Sequence, residues 1–256
     1  SLFFDSIMPS VRKATNTFIL PMQKGVNTVG SWVESKVEAL KNYEDIVAEN
    51  DQLKEQLDTY RSTLAQYEQN SYELDRLQKL YELDAQYTDY DKTGARVISK
   101  DTGNWFDVFY IDNKGTDDGL SIGCNVLYGN GLCGIITEIG ADYAKVRSII
   151  DDTTNVNATI LPAQAICNVS GSLTNYADGY LLAENIDKDA DISEGDQVVT
   201  SHVSSKYLSG INIGYIAKIE NDSNNLTKTA YITPAADFSN IEEVLVIRQT
   251  KKNVTD

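Results

Sequence analysis

Histidine occurs once in the 256 residues, at His202, and cysteine three times, at Cys124, Cys133 and Cys167. So few thiols exclude a disulfide-rich scaffold and leave room for one bridge, with no indication of which pair would form it. No C-x-x-C or H-E-x-x-H spacing gathers ligands, so neither a metal nor a cofactor is expected. Basic residues are scarce, 22 against 38 acidic ones, for a formal charge of -16. That surface repels nucleic acid, which requires a basic footprint, and points to protein partners. Apolar runs of the roughly 18 residues needed to span a bilayer are missing too. The start, "SLFFDSIMPSVRKATNTFILPMQ", lacks the basic-then-apolar order of a signal peptide and is broken by Pro9 and Pro21. It reads as the outer flank of a transmembrane helix preceding Ser1.

One more absence organises the chain. Between Val26 and Ala85 there is no proline, and the last glycine is Gly30. Glu, Gln, Leu, Lys and Tyr fill this segment, and its apolar residues recur at alternating steps of three and four. Tyr43, Asn50, Leu57 and Leu64 take a positions, followed by Ser71 and Gln78; Ile46, Leu53, Tyr60, Tyr67, Leu74 and Tyr81 take d positions. This is a coiled-coil seam. Asn50 at a favours a parallel, in-register dimer, because that pairing satisfies its buried amide. At about 1.5 Å per residue the helix would run roughly 90 Å. A helix packed on its own domain is the competing reading, but no second helical segment is available to cover it.

After "YTDYDKTG" the pattern changes to short Val-, Ile-, Tyr- and Thr-rich runs between Gly, Asn and Asp clusters. About a dozen strands follow, which predicts two small β-barrels rather than one large sheet. The expected organisation is a juxtamembrane flank over 1–21, a coiled-coil helix over 22–87 and a linker over 88–93. A first barrel over 94–161, a second over 162–250 and a tail over 251–256 complete it, with the seam near Leu161–Pro162. The C-terminal strand has the option of returning to the first barrel.

The stretch "IDNKGTDDGLSIGCNVLYGNGLCGII" resembles a ligand loop. Calcium coordination fails because a lysine occupies the second ligand position in Asp112, Lys114, Thr116 and Asp118. A phosphate loop fails because Gly115, Gly119 and Gly123 lead into a strand rather than a helix. Tyr128-Gly129-Asn130-Gly131 instead signals a hairpin, whose register sets Cys133 opposite residues 126 to 128 and away from Cys124. The thiols are expected buried and inert. A Ser-His-Asp hydrolase would depend on His202, beside Ser201 and Ser204, but no nucleophile-elbow sequence accompanies it, and a surface-loop histidine is the better reading. The pairs Asp117/Asp118, Asp151/Asp152 and Glu242/Glu243 read as solvated turn and edge charges.

"ILPMQ" ahead of a coil with "AENDQLKEQL" resembles the start of the extracytoplasmic region of the MreC family of bacterial rod shape-determining proteins. "ARVISKDTGNWFDVFYIDNKGTDDGLSIGCNVLYGNGLCGIITEIGADYAKVRSIID", "VVTSHVSSKYLSGINIGYI" and "ITPAADFSNIEEVLVI" are similar to its further motifs, in the family's order. The chain departs at His202-Val203-Ser204-Ser205, where a Gly-rich stretch is usual, and at Ser209, where the family has proline. The resemblance implies a single-pass membrane protein on the extracytoplasmic side. It implies a homodimer through the coil, and two barrels arranged like those of a trypsin-like protease without catalytic groups. The implied role is a non-enzymatic scaffold linking the MreB cytoskeleton and MreD to peptidoglycan synthases, including penicillin-binding proteins. The alternative is an export-pump adaptor of the membrane-fusion type, which would place an antiparallel helical hairpin between β segments.

Overall fold

The computed structural model describes residues 8–112, 119–222 and 226–251, with side chains at Trp32 and from Lys36 onward except Ala39. Two compact units divide the chain, Ser1–Tyr72 and Glu73–Asp256. Helix α1, Met8–Gln86, supplies the regular structure described in the first and enters the second. It begins at Met8 rather than Met22. Pro9 stands in its first turn, where no N–H is needed, and Pro21 forgoes one hydrogen bond without ending the helix. Expectations for residues 1–7, for Lys114, Thr116, Asp117 and Asp118, and for 252–256 lie outside the described residues.

The strands of the second unit are β1 (Lys92–Lys100), β2 (Val108–Asp112), β3 (Asn125–Tyr128), β4 (Gly131–Ile139), β5 (Tyr143–Ser148) and β6 (Asn155–Leu161). They continue as β7 (Ala165–Ser170), β8 (Leu181–Asp187), β9 (Gln197–Thr200), β10 (Asn212–Asn221), β11 (Thr227–Pro234) and β12 (Glu243–Ile247). A short helix, α2 (Leu173–Ala177), lies between β7 and β8. All pairings are antiparallel, and two barrels close: β1-β12-β3-β4-β5-β2 and β10-β11-β8-β7-β6-β9. Closure removes every exposed edge, so neither barrel offers a strand for augmentation.

Alternation produces this. In β5 and β6 every second residue is buried, which points one face of each strand into a barrel. β12 is buried along Val244–Ile247, since its outer side is covered as well. It pairs Leu245 with Gly94 and with Leu127, so the last strand closes the first barrel.

The barrel boundary differs from the expected one at Leu161–Pro162. β6 belongs to the second barrel, paired with β7 and β9, and the crossing lies between β5 and β6. Pro162 marks the tight turn of the β6–β7 hairpin, not a linker; Gln164, at φ 54, completes it. α2 replaces an expected loop. Its N-cap is Ser172, whose hydroxyl accepts from the Asn175 N–H.

The barrels share one apolar core, and polar side chains stitch their border. Asn125, fully buried, accepts from the Leu208 N–H at 2.8 Å and donates to the Lys206 carbonyl at 3.4 Å. Asn212 Nδ2 donates to the Asn130 carbonyl at 3.2 Å. The hairpin β3–β4 turns at Gly129, whose φ of +62 uses the left-handed region, and Asn130 does not need it.

Candidate functional site

The seam on α1 forms a mainly apolar stripe along the helix. Tyr43, Ile46, Asn50, Leu53, Leu57, Tyr60, Leu64 and Tyr67 are all exposed in the single chain. Large apolar side chains in water are costly, at about 1.5–3 kcal/mol each relative to burial. A contiguous stripe of them marks an interaction surface.

Within the second unit the two sides of the helix can be told apart. Leu74 and Tyr81, both d positions, remain 67% and 74% exposed, whereas Leu83 is 1% exposed. In the same heptad register Arg76 falls at f of one heptad and Leu80 and Leu83 at c and f of the next, the side opposite a and d. Arg76 donates to Glu242 and, at 3.3 Å, to Glu243, in front of β12. The pair read as solvated edge charges is therefore half-buried and engaged; Glu243 retains only 15% of its side-chain exposure. Burial works against the Arg76 charge, but Glu243 and Glu242 outweigh it and hold its pKa above the ordinary value. Nothing local in the sequence marked Arg76, because an exposed arginine on a polar helix face is ordinary.

The helix end is capped from outside. α1 has no basic residue in its last turn. Instead Lys92 of β1, with a side chain only 6% exposed, donates to the Asp84 and Tyr87 carbonyls at 2.5 and 2.6 Å. It satisfies carbonyls that a helix terminus leaves open and sets a cation at the negative end of the dipole. Tyr87 and Tyr90 continue the junction: Tyr87 Oη accepts from the Asn212 N–H, and Tyr90 Oη donates to the Ser209 carbonyl. The chain thus leaves the helix tied to both barrels, with the a/d side free.

The polar groups weighed for catalysis serve the turns they sit in. His202 is exposed, and its carbonyl accepts from Lys251. Ser204 Oγ accepts from the Tyr207 and Lys206 N–H groups. Thr200 Oγ1 donates to the Leu208 carbonyl and accepts from the Ile211 N–H, which closes the loop where the chain departs from its resemblance. Asp151 accepts from Thr153 and Asp152 from the Leu173 N–H. Among the described residues, no group of three or more His, Cys, Asp or Glu side chains could hold a metal. No described helix is long and apolar enough to cross a membrane.

All three cysteines are buried and free. Cys133 occupies the irregularity between the Val126–Gly134 and Leu127–Leu132 pairs. Burial pushes its thiol far up and that of Cys167 up to about 12. In the unfolded chain a thiol ionises near about 8.5. The folded-state pKa is the higher one, so this contribution to stability is complete below the unfolded-chain value of about 8.5 and declines as pH rises toward 12. Ellman's reagent at pH 8 is expected to leave Cys133 and Cys167 unmodified until denaturant is added, and the denaturation midpoint to fall between pH 8 and pH 10. Rapid labelling of either in the folded protein would contradict their burial.

Comparison with known proteins adds an independent line. Residues 97–248 match the model for "Rod shape-determining protein MreC, barrel core". The cell shape-determining protein MreC of Listeria monocytogenes is 31% identical over 226 residues, covering 86% of this chain and 75% of that protein. The Bacillus subtilis protein of the same name is 29% identical over 83% of this chain and 76% of its own length. A solved structure of the Listeria protein superposes with a TM-score of 0.57 at 32% identity, covering 78% of this chain and 95% of that one. Another, described as MreC, reaches 0.62 at 22% identity over 69% and 98%, a likeness of fold.

Proposed function

The chain belongs to the MreC family, and we propose that it is a membrane-anchored scaffold of cell-wall elongation that maintains rod shape. Its two barrels would stand on the extracytoplasmic side. In this reading it carries no catalysis of its own. It pairs with a second copy through α1 and links MreB and MreD to peptidoglycan synthases, penicillin-binding proteins among them.

The observation that carries the reading is the division of labour on the helix. One side of its last turns is committed to the first barrel through Arg76, Leu80 and Leu83, while the a/d side keeps an uncovered apolar stripe. A stripe with that period fits a second helix of the same kind. Export adaptors, the alternative, insert a helical hairpin between β segments. Between the described strands the chain has the five-residue α2.

Photo-reactive residues introduced in living cells test the proposal. At Tyr60 they are expected to trap a second copy. On the outer face of the second barrel, at Ile166 or Tyr215, they are expected to trap a penicillin-binding protein. Recovery of only metabolic or nucleic-acid-binding proteins from every position would sink the scaffold reading.

A further inference from the structure

The outer face of the second barrel holds a cavity of about 340 Å³ whose walls come from separate parts of the chain. α2 and the turn after it bring Asn175 and Asp178, Tyr180 stands just before β8, and β10 and β11 contribute Lys218 and Tyr231. The Tyr180 and Tyr231 rings meet edge to face, with centroids 6.0 Å apart and planes at 81°. Gly179, at φ +89, makes the reversal that carries the chain from Asp178 to Tyr180. Lys218 lies 5.4 Å from the Tyr231 ring and 2.5 Å from Glu220, which also accepts from the Tyr231 hydroxyl at 3.2 Å. Among the described residues, the side chains of Asn175 and Asp178 have no hydrogen-bond or ion-pair partner.

We propose that this cavity binds a neutral sugar unit of an oligosaccharide. Its lining argues against the other ligand classes in turn. An anion would meet the free Asp178 carboxylate on a chain of net charge -16. A metal cation would find one lining carboxylate, Asp178, too few ligands to hold it, and an organic cation would need the Tyr231 ring face, where Lys218 already stands. A wholly apolar ligand would bury Asn175 and Asp178 without partners, a cost of about 1–3 kcal/mol per group. A pyranose matches all three elements at once. Its axial C–H face packs on an exposed tyrosine ring, and adjacent hydroxyls donate to the two oxygens of Asp178. The Asn175 amide both donates and accepts. The volume lies in the range of small-molecule sites, about 300–1,000 Å³. A second cavity of about 330 Å³, lined by Trp105, Tyr176 and Pro234, also uses α2 as a wall and would accommodate further units of a chain.

Isothermal titration and saturation-transfer NMR with chitotetraose, cellotetraose and maltotetraose test the site on the whole protein. At least one is expected to bind in the millimolar range. Tyr180→Ala and Asp178→Ala are each expected to weaken it by about tenfold or more; the thermal midpoint should hold for Asp178→Ala, whose side chain is exposed, and fall slightly for Tyr180→Ala, which also gives up the edge-to-face contact with Tyr231. Tyr215→Ala, an exposed tyrosine of the same barrel that does not line the cavity, is expected to bind as the natural protein does. Failure of all three sugars to bind would overturn the proposal. So would binding that survives Tyr180→Ala, or a loss that Tyr215→Ala reproduces.

Discussion

Replacing Leu53 and Leu57 together by lysine is expected to abolish the proposed pairing of two α1 helices and leave a monomer whose barrels stay folded. In a parallel pair each helix buries both leucines, so four side chains leave the seam, at a cost of about 6–12 kcal/mol. That is a weakening of about 10⁴-fold or more in the dissociation constant. The barrels are insulated from the change, because both positions lie in the other compact unit. Charges flanking the seam favour the parallel arrangement. Glu49 at g would face Lys54 at e of the partner helix, and no later g–e′ pair sets like charges together. Light scattering reads the mass directly, and a Leu53→Cys variant reads the register, since d positions of an in-register parallel pair meet their own copies. A natural protein that is strictly monomeric, with no crosslink through position 53, would remove the parallel dimer.

Gly131→Ala is the second change expected to act strongly, this time on the barrels. A Cβ there would stand 2.3 Å from the Asn212 carbonyl oxygen and 3.0 Å from the Ala235 Cβ. The first is a backbone atom of β10, so relief means moving one barrel away from the other. That movement also stretches the Asn212 to Asn130 hydrogen bond and the Tyr87 contact with the Asn212 N–H. Overpacking and a loosened border together are expected to cost about 3 kcal/mol, read as a lower urea midpoint for the barrel transition. Gly94→Ala is the control: a Cβ there meets nothing within 4 Å, and the midpoint should hold or rise slightly. Equal midpoints for both variants would mean that the barrels do not meet so closely at Gly131.

Much of the architecture was legible residue by residue. The heptad steps from Tyr43 to Tyr81 and the run free of proline and glycine identify α1, because helix formation is decided within a few turns. The expectation of about a dozen strands is met by β1–β12, since period-two alternation is equally local. What misled was punctuation. Pro162 looks like a domain seam and is a hairpin turn, and Pro9 and Pro21 look like interruptions of α1 and are not. Glu242 and Glu243 look solvated and are held by Arg76, more than 160 positions away in sequence. Leu80 and Leu83 did carry a signal, a second apolar row on the side opposite the seam, but its meaning depends on a barrel being there to cover it.

The sequence by itself determined the order of elements, the period of the seam and the poverty of metal-ligating and general-base residues, all properties of neighbours along the chain. Tertiary structure alone decided that β12 closes the first barrel and β6 opens the second. It also decided that the c/f side of α1 docks while a/d stays free, and that Asn175, Asp178, Tyr180, Lys218 and Tyr231 line one cavity. Those outcomes depend on which distant strands satisfy one another's hydrogen bonds and close without an edge, a choice that no local period encodes.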